Sequence, residues 1–125
     1  MIKNVTRLLA VLLFVVLGSS AFAAGLTEQQ KIDALLDRLG TSGVTFIRHD
    51  KEYDSITAEK FFSEKLKDTT PKVTTAKDFI VQVGTGGQKT HTPFYIKLKD
   101  GTKETSVKWF SDQLAIIEKA AAKKK

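Results

Sequence analysis

The chain reads as an α+β protein, about four helices packed on a small antiparallel sheet of two or three short strands. Two patterns carry that expectation. Apolar residues recur at three- and four-residue spacing in four separate segments, and in two places the pattern switches to strict alternation. A third observation narrows it: the sequence holds no cysteine, so no disulfide framework staples the fold and an ordinary apolar core must do so.

The first segment is not part of that fold. Lys3 and Arg7 precede an uninterrupted apolar run from Leu8 to Leu17, and GSSAFAA follows. A positive start, a short apolar stretch and a small-residue A-x-A site at Ala21 and Ala23 predict a secretory signal over 1–23, cleaved after Ala23. The run turns to Gly18-Ser19-Ser20 after ten residues, short of the ~20 a membrane span needs. No stable membrane span is therefore expected after cleavage, and the protein is expected to be periplasmic. The remaining residues, 24–125, are of a length that suits one domain with a short basic C-terminal tail.

LTEQQKIDALLDRLG reads as an amphipathic helix. Thr27 and Gln30 have capping-box spacing, and Ile32, Leu35, Leu36 and Leu39 form its apolar stripe. Gly40 and Gly43 should end it. VTFIRH alternates as a short strand, with Val44 and Phe46 on one face and Thr45 and Ile47 on the other. DKEYDS is expected to be a polar turn. A second helix, started by Ser55 or Thr57, carries Ala58, Phe61, Phe62 and Leu66. After Pro71 a third begins, with Thr75 and Asp78 in capping register and Ala76, Phe79, Ile80 and Val83 as its stripe, closed by Gly84. FYIKLK alternates Phe94, Ile96 and Leu98 against Tyr95, Lys97 and Lys99, and Asp100-Gly101 signals a hairpin into TKETS. The last helix sets Val107, Phe110, Leu114, Ile117 and Ala121 on one stripe.

VGTGGQKTHTPFY resembles a phosphate-binding loop only superficially. G-x-x-x-x-G-K-[ST] read back from Lys89 and Thr90 requires glycine at 88 and 83, where the chain has Gln88 and Val83. The loop also leaves a helix and enters a strand, the reverse of the order that aims a helix N-terminus at phosphate. No cofactor is expected.

Charge points away from nucleic acid. The chain has 20 Lys+Arg against 14 Asp+Glu, and loss of Lys3 and Arg7 with the signal leaves a small, dispersed excess, three of it in the terminal Lys123-Lys124-Lys125. That tail suits a solvated helix end. His49 and His91 flank predicted strands, but their spacing matches no metal motif and no metal site is expected. No serine sits in a G-x-S-x-G elbow, so no catalytic residue is assigned.

Arg48, Tyr53, Tyr95 and Trp109 each join an apolar body to a polar tip, a type used in recognition. With His49 and His91 they are the candidate binding residues. The plainer alternative is that the rings finish the core while Arg48 pairs with Asp50 or Asp54.

SGVTFIRHDKEYDSITAEKFF, TTAKDFI, TPFYIKLKDG and SVKWFSDQL together resemble the YfeK-like family of small exported bacterial proteins, domain-of-unknown-function family 5329. Ser42, Phe46, Ile47, Arg48, Tyr53, Ala58, Thr75, Ala76, Phe79, Ile80, Tyr95 and Trp109 occupy the family's positions. Val44 stands where the pattern often has cysteine, His49-Asp50 replaces Asn-Gly, and TGGQKTHT replaces a serine-rich loop. The resemblance implies a single periplasmic domain and no particular activity. The resulting expectation is a non-enzymatic envelope module whose partner is an unknown envelope protein or polymer. The alternative is a small hydrolase or metal-dependent enzyme using His49 or His91.

Overall fold

The computed structural model describes residues 25–69, 72–86 and 92–123. Residues 1–23, expected from the sequence to be a secretory signal, lie outside the described residues, as do Pro71, the stretch 87–91 with His91, and the last two lysines. Helix α1 (Glu28–Ser42) begins as its sequence requires. Thr27 Oγ1 accepts from the Gln30 N–H at 3.1 Å, and Gln30 Oε1 accepts from the Thr27 N–H at 2.9 Å, so two of the orphan donors of the first turn are satisfied reciprocally. Gly40 does not end the helix; it stays inside, and its carbonyl accepts from Ser55 Oγ at 3.2 Å. Termination comes at Gly43, whose φ of 76° is the left-handed cap glycine adopts at least cost.

Strand β1 (Thr45–Arg48) is followed by a second strand where the sequence predicts a polar turn. Lys51–Tyr53 form β2, antiparallel to β1 with Arg48 opposite Lys51. Only His49 and Asp50 connect them, at φ of 51° and 65°. Two consecutive left-handed residues make the turn whose twist fits a two-residue hairpin, and His and Asp are among the side chains that tolerate that region. They tolerate it at a cost. Asp50→Gly is expected to stabilise the fold by about 0.5–1 kcal/mol, raising the thermal midpoint by a few degrees in differential scanning calorimetry, while Asp50→Val lowers it.

Asp54, not Ser55 or Thr57, caps helix α2 (Ser55–Asp68). Its Oδ1 accepts from the Thr57 N–H at 2.8 Å, and that bond holds the carboxyl below the usual aspartate range. Helix α3 (Ala76–Phe79) starts at Thr75, whose Oγ1 accepts from the Asp78 N–H at 3.0 Å. Glu28 at the head of α1 accepts from the Ala76 N–H at 2.9 Å, joining the two helix starts. The helix then widens into a π-helical turn, Ile80–Gly84, which Thr85 closes by donating its hydroxyl to the Ile80 carbonyl at 2.7 Å. Gly84 is small for a reason: a Cβ there would lie 2.9 Å from the buried Phe110 ring.

Strands β3 (Tyr95–Lys97) and β4 (Lys103–Thr105) form the second hairpin, turned by Asp100 and by Gly101 at φ 93°. Helix α4 (Ser106–Lys123) follows at once. Among the described residues the sheet is four-stranded and wholly antiparallel, in the order β2-β1-β3-β4. The fold is α+β as expected, with one strand more than the sequence suggested. Phe46 and Ile96 pair across β1 and β3 and face the helices, where they share one buried cluster with Leu35, Phe62, Phe79 and Phe110.

Candidate binding cleft

Strand alternation puts Arg48 on the same face as Phe46, and the hairpin register sets Tyr53 directly opposite Phe46, with ring centroids 6.1 Å apart. Helix α2 crosses this corner and contributes Thr57 and Phe61, four residues apart and therefore on one helical face. These five residues line a largely apolar cleft of about 90 Å³ under the first hairpin. The Arg48 guanidinium stands over the Phe61 ring, 4.9 Å from its centroid.

One helical turn beyond Phe61, Lys65 is half-buried. Its Nζ lies 4.8 Å from the Phe94 ring centroid and donates to the carbonyls of Val83 at 2.9 Å and Gly86 at 2.8 Å. Burial pushes its pKa down, and the like charge of Arg48 adds to the shift. Among the described residues neither Arg48 nor Lys65 forms an ion pair. Asp50 and Asp54, the expected partners of Arg48, do not reach it; Asp54 is spent on the helix cap. Two cations thus stand beside an aromatic wall without a carboxylate.

The other candidate residues are dispersed. Tyr95 pairs with Ile47, out of phase with Phe46 and Arg48, and so lies on the opposite face of the sheet. There Lys103 Nζ sits 5.3 Å from its ring centroid, and the neighbouring Lys97 bonds Glu52 at 3.0 Å. Trp109 is only 4 % exposed and packs edge-on against Phe110 at 5.3 Å. It also borders a separate, polar depression of about 300 Å³ with Arg38, Thr41, Ser42 and Gln113. His49 is exposed at the tip of the first hairpin, and His91 lies outside the described residues.

The described ends of the glycine loop are tied to each other and to the core. Gly86 bridges to Pro93, and the Phe94 N–H donates to the Thr85 carbonyl at 3.1 Å. At this end the inward groups are carbonyls: Val83 and Gly86 accept from Lys65, and Gly84 accepts from the Ser106 hydroxyl. A phosphate cradle needs converging N–H donors, the opposite polarity. Ser55 and Ser106, the buried hydroxyls, each donate to a backbone carbonyl. Among the described residues no group of three or more His, Cys, Asp or Glu side chains could hold a metal ion.

Phe61, Thr57 and Lys65 were missed from sequence. Phe61 was read as core stripe and Thr57 as a helix start, and Lys65 is one of several lysines on α2 with nothing local to distinguish it. The separation of Tyr95 from Arg48 did have a signal: Tyr95 alternates with the apolar Phe94 and Ile96, whereas Arg48 is in phase with Phe46.

A small α+β protein with helices on one face of a four-stranded sheet, and a cationic aromatic cleft at one corner, is the class these features define. Residues 26–118 match the model of a family of unknown function (DUF5329), and the chain belongs to that family. Searches among curated proteins and among solved structures gave no match.

Proposed function

We propose that this protein is a YfeK-like, exported periplasmic module that binds an envelope protein or polymer without catalysing a reaction, and that the cleft of Phe46, Arg48, Tyr53, Thr57 and Phe61 is its binding surface. The observation carrying this reading is Arg48. A half-buried guanidinium held over a phenyl ring, with no acidic partner among the described residues, is free to meet an anion from outside. An external anionic or polar group supplies what the fold withholds. Export rests on the character of residues 1–23, positive, then apolar, then small.

Two measurements test it. Expressed in bacteria, the protein is expected in the periplasmic fraction with Ala24 at its N-terminus; recovery in the cytoplasm with residues 1–23 attached would refute export. Immobilised on a resin and washed with solubilised envelope, the wild type is expected to retain components that Arg48→Ala and Tyr53→Ala do not. An identical retained set from folded variants would remove the cleft as the binding surface.

A further inference from the structure

We infer that the cleft captures the C-terminal residue of a partner polypeptide, its apolar side chain entering between Tyr53 and Phe61 and its carboxylate meeting Arg48. This deepens the binding-module reading and rests on it.

Size sets the first limit. About 90 Å³ is less than the roughly 150 Å³ that admits benzene in an apolar protein cavity, so the cleft has room for one aliphatic side chain and little else. Charge sets the second. The Arg48 guanidinium stands over the Phe61 ring, its Cζ 4.9 Å from the centroid, and forms no ion pair among the described residues, so its donors are open to a planar carboxylate, the group the fork fits. Lys65, held behind it by the Val83 and Gly86 carbonyls, adds positive potential without needing to move.

The closeness of these two subsites decides among acidic ligands. An internal Asp or Glu carries its charge on its own side chain and must borrow the apolar group from a neighbour. In an extended segment adjacent side chains point to opposite sides, and the next on the same side is about 7 Å away. A C-terminal residue carries both groups on one Cα. Capture of a terminal carboxylate is an established recognition mode for peptides.

The test is a heteronuclear NMR titration of the exported protein with four probes: N-acetyl-leucine, N-acetyl-leucinamide, N-acetyl-aspartyl-leucinamide and acetate. N-acetyl-leucine is expected to shift the amides of Phe46, Arg48, Tyr53 and Phe61 saturably. The neutral amide should bind at least about tenfold more weakly, the loss of one charge-assisted contact. Acetate should not saturate. Arg48→Gln should erase the preference for acid over amide, and Tyr53→Ala should weaken both while leaving the preference. Equal binding of acid and amide, or absence of saturable shifts from N-acetyl-leucine, overturns the inference. So does binding of the aspartyl amide as tight as that of N-acetyl-leucine. If envelope retention depends on Arg48 and Tyr53 while N-acetyl-leucine fails, the ligand class falls and the module stands. If the acid binds as described while retention ignores both residues, the envelope role falls and the capture chemistry stands.

Discussion

Phe62→Ala is expected to destabilise the protein by about 3–5 kcal/mol, the range for truncating a core phenylalanine. Phe62 is fully buried, and its ring meets four others: Phe46 at 5.0 Å, Phe61 at 5.1 Å, Phe94 at 5.8 Å and Phe110 at 5.3 Å. All four contacts are edge-on, the geometry that adds to simple burial. The partners come from β1, from α2 itself, from the entry to β3 and from α4, so truncation leaves a hole bounded by elements that cannot close on it together. With total stability of domains in the 5–15 kcal/mol range, this one change removes a large share. Urea denaturation should show a lower midpoint at unchanged slope. Phe61→Ala is the control. That ring is only partly buried at the cleft wall, and its loss should cost distinctly less. Equal costs would mean that the ring cluster has no centre at Phe62.

The helical stripes were legible because their spacing is a property of the local chain. Ile32, Leu35, Leu36 and Leu39 are all buried, as are Ala76, Phe79, Ile80 and Val83 across a helix that changes its winding midway. The winding itself was hidden: the stripe reads the same whether a turn contains four residues or five. Its surroundings are tertiary: Lys65 and Ser106, from two other helices, donate to the carbonyls of Val83 and Gly84 at the end of that turn. Strand β2 was hidden for a different reason. It is a three-residue edge strand bearing Lys51 and Glu52, the charged dress that guards an edge against foreign pairing, and that dress erases the apolar alternation. An Asn-Gly pair at positions 49 and 50 would have announced the hairpin; His49-Asp50 adopts the left-handed backbone such a turn needs with side chains that do not advertise it.

Half of the cleft was legible. Arg48 and Tyr53 were singled out by chemical type, and register then brought them together. The other wall belongs to α2, whose position over the hairpin no local pattern encodes.

Lys65 is where the second large effect is expected. Lys65→Met keeps an unbranched stem and removes the ammonium, leaving the Val83 and Gly86 carbonyls without their donor; a loss of about 1–3 kcal/mol should follow, and Lys65→Ala should lose more through the stem. The dependence on pH has a definite sign. Burial first, and Arg48 second, lower the folded-state pKa of Lys65 beneath its ordinary 10.5. Below that lowered value the penalty for burying the cation is fully present. Between it and 10.5 the unfolded chain holds a proton that the folded chain has released, so the Lys65 contribution to stability rises with pH. Lys31 and Lys108, which gain carboxylate partners and are shifted upward, act in the opposite sense. They are common to wild type and Lys65→Met and cancel in the difference. The stability of wild type minus that of Lys65→Met, from urea titrations at stepwise increasing pH, should therefore widen as pH approaches 10.5. Arg48→Gln, which removes the second cation, should blunt that widening. A difference that stays flat would show Lys65 to be solvated and the positive corner of the cleft to be weaker than the geometry implies.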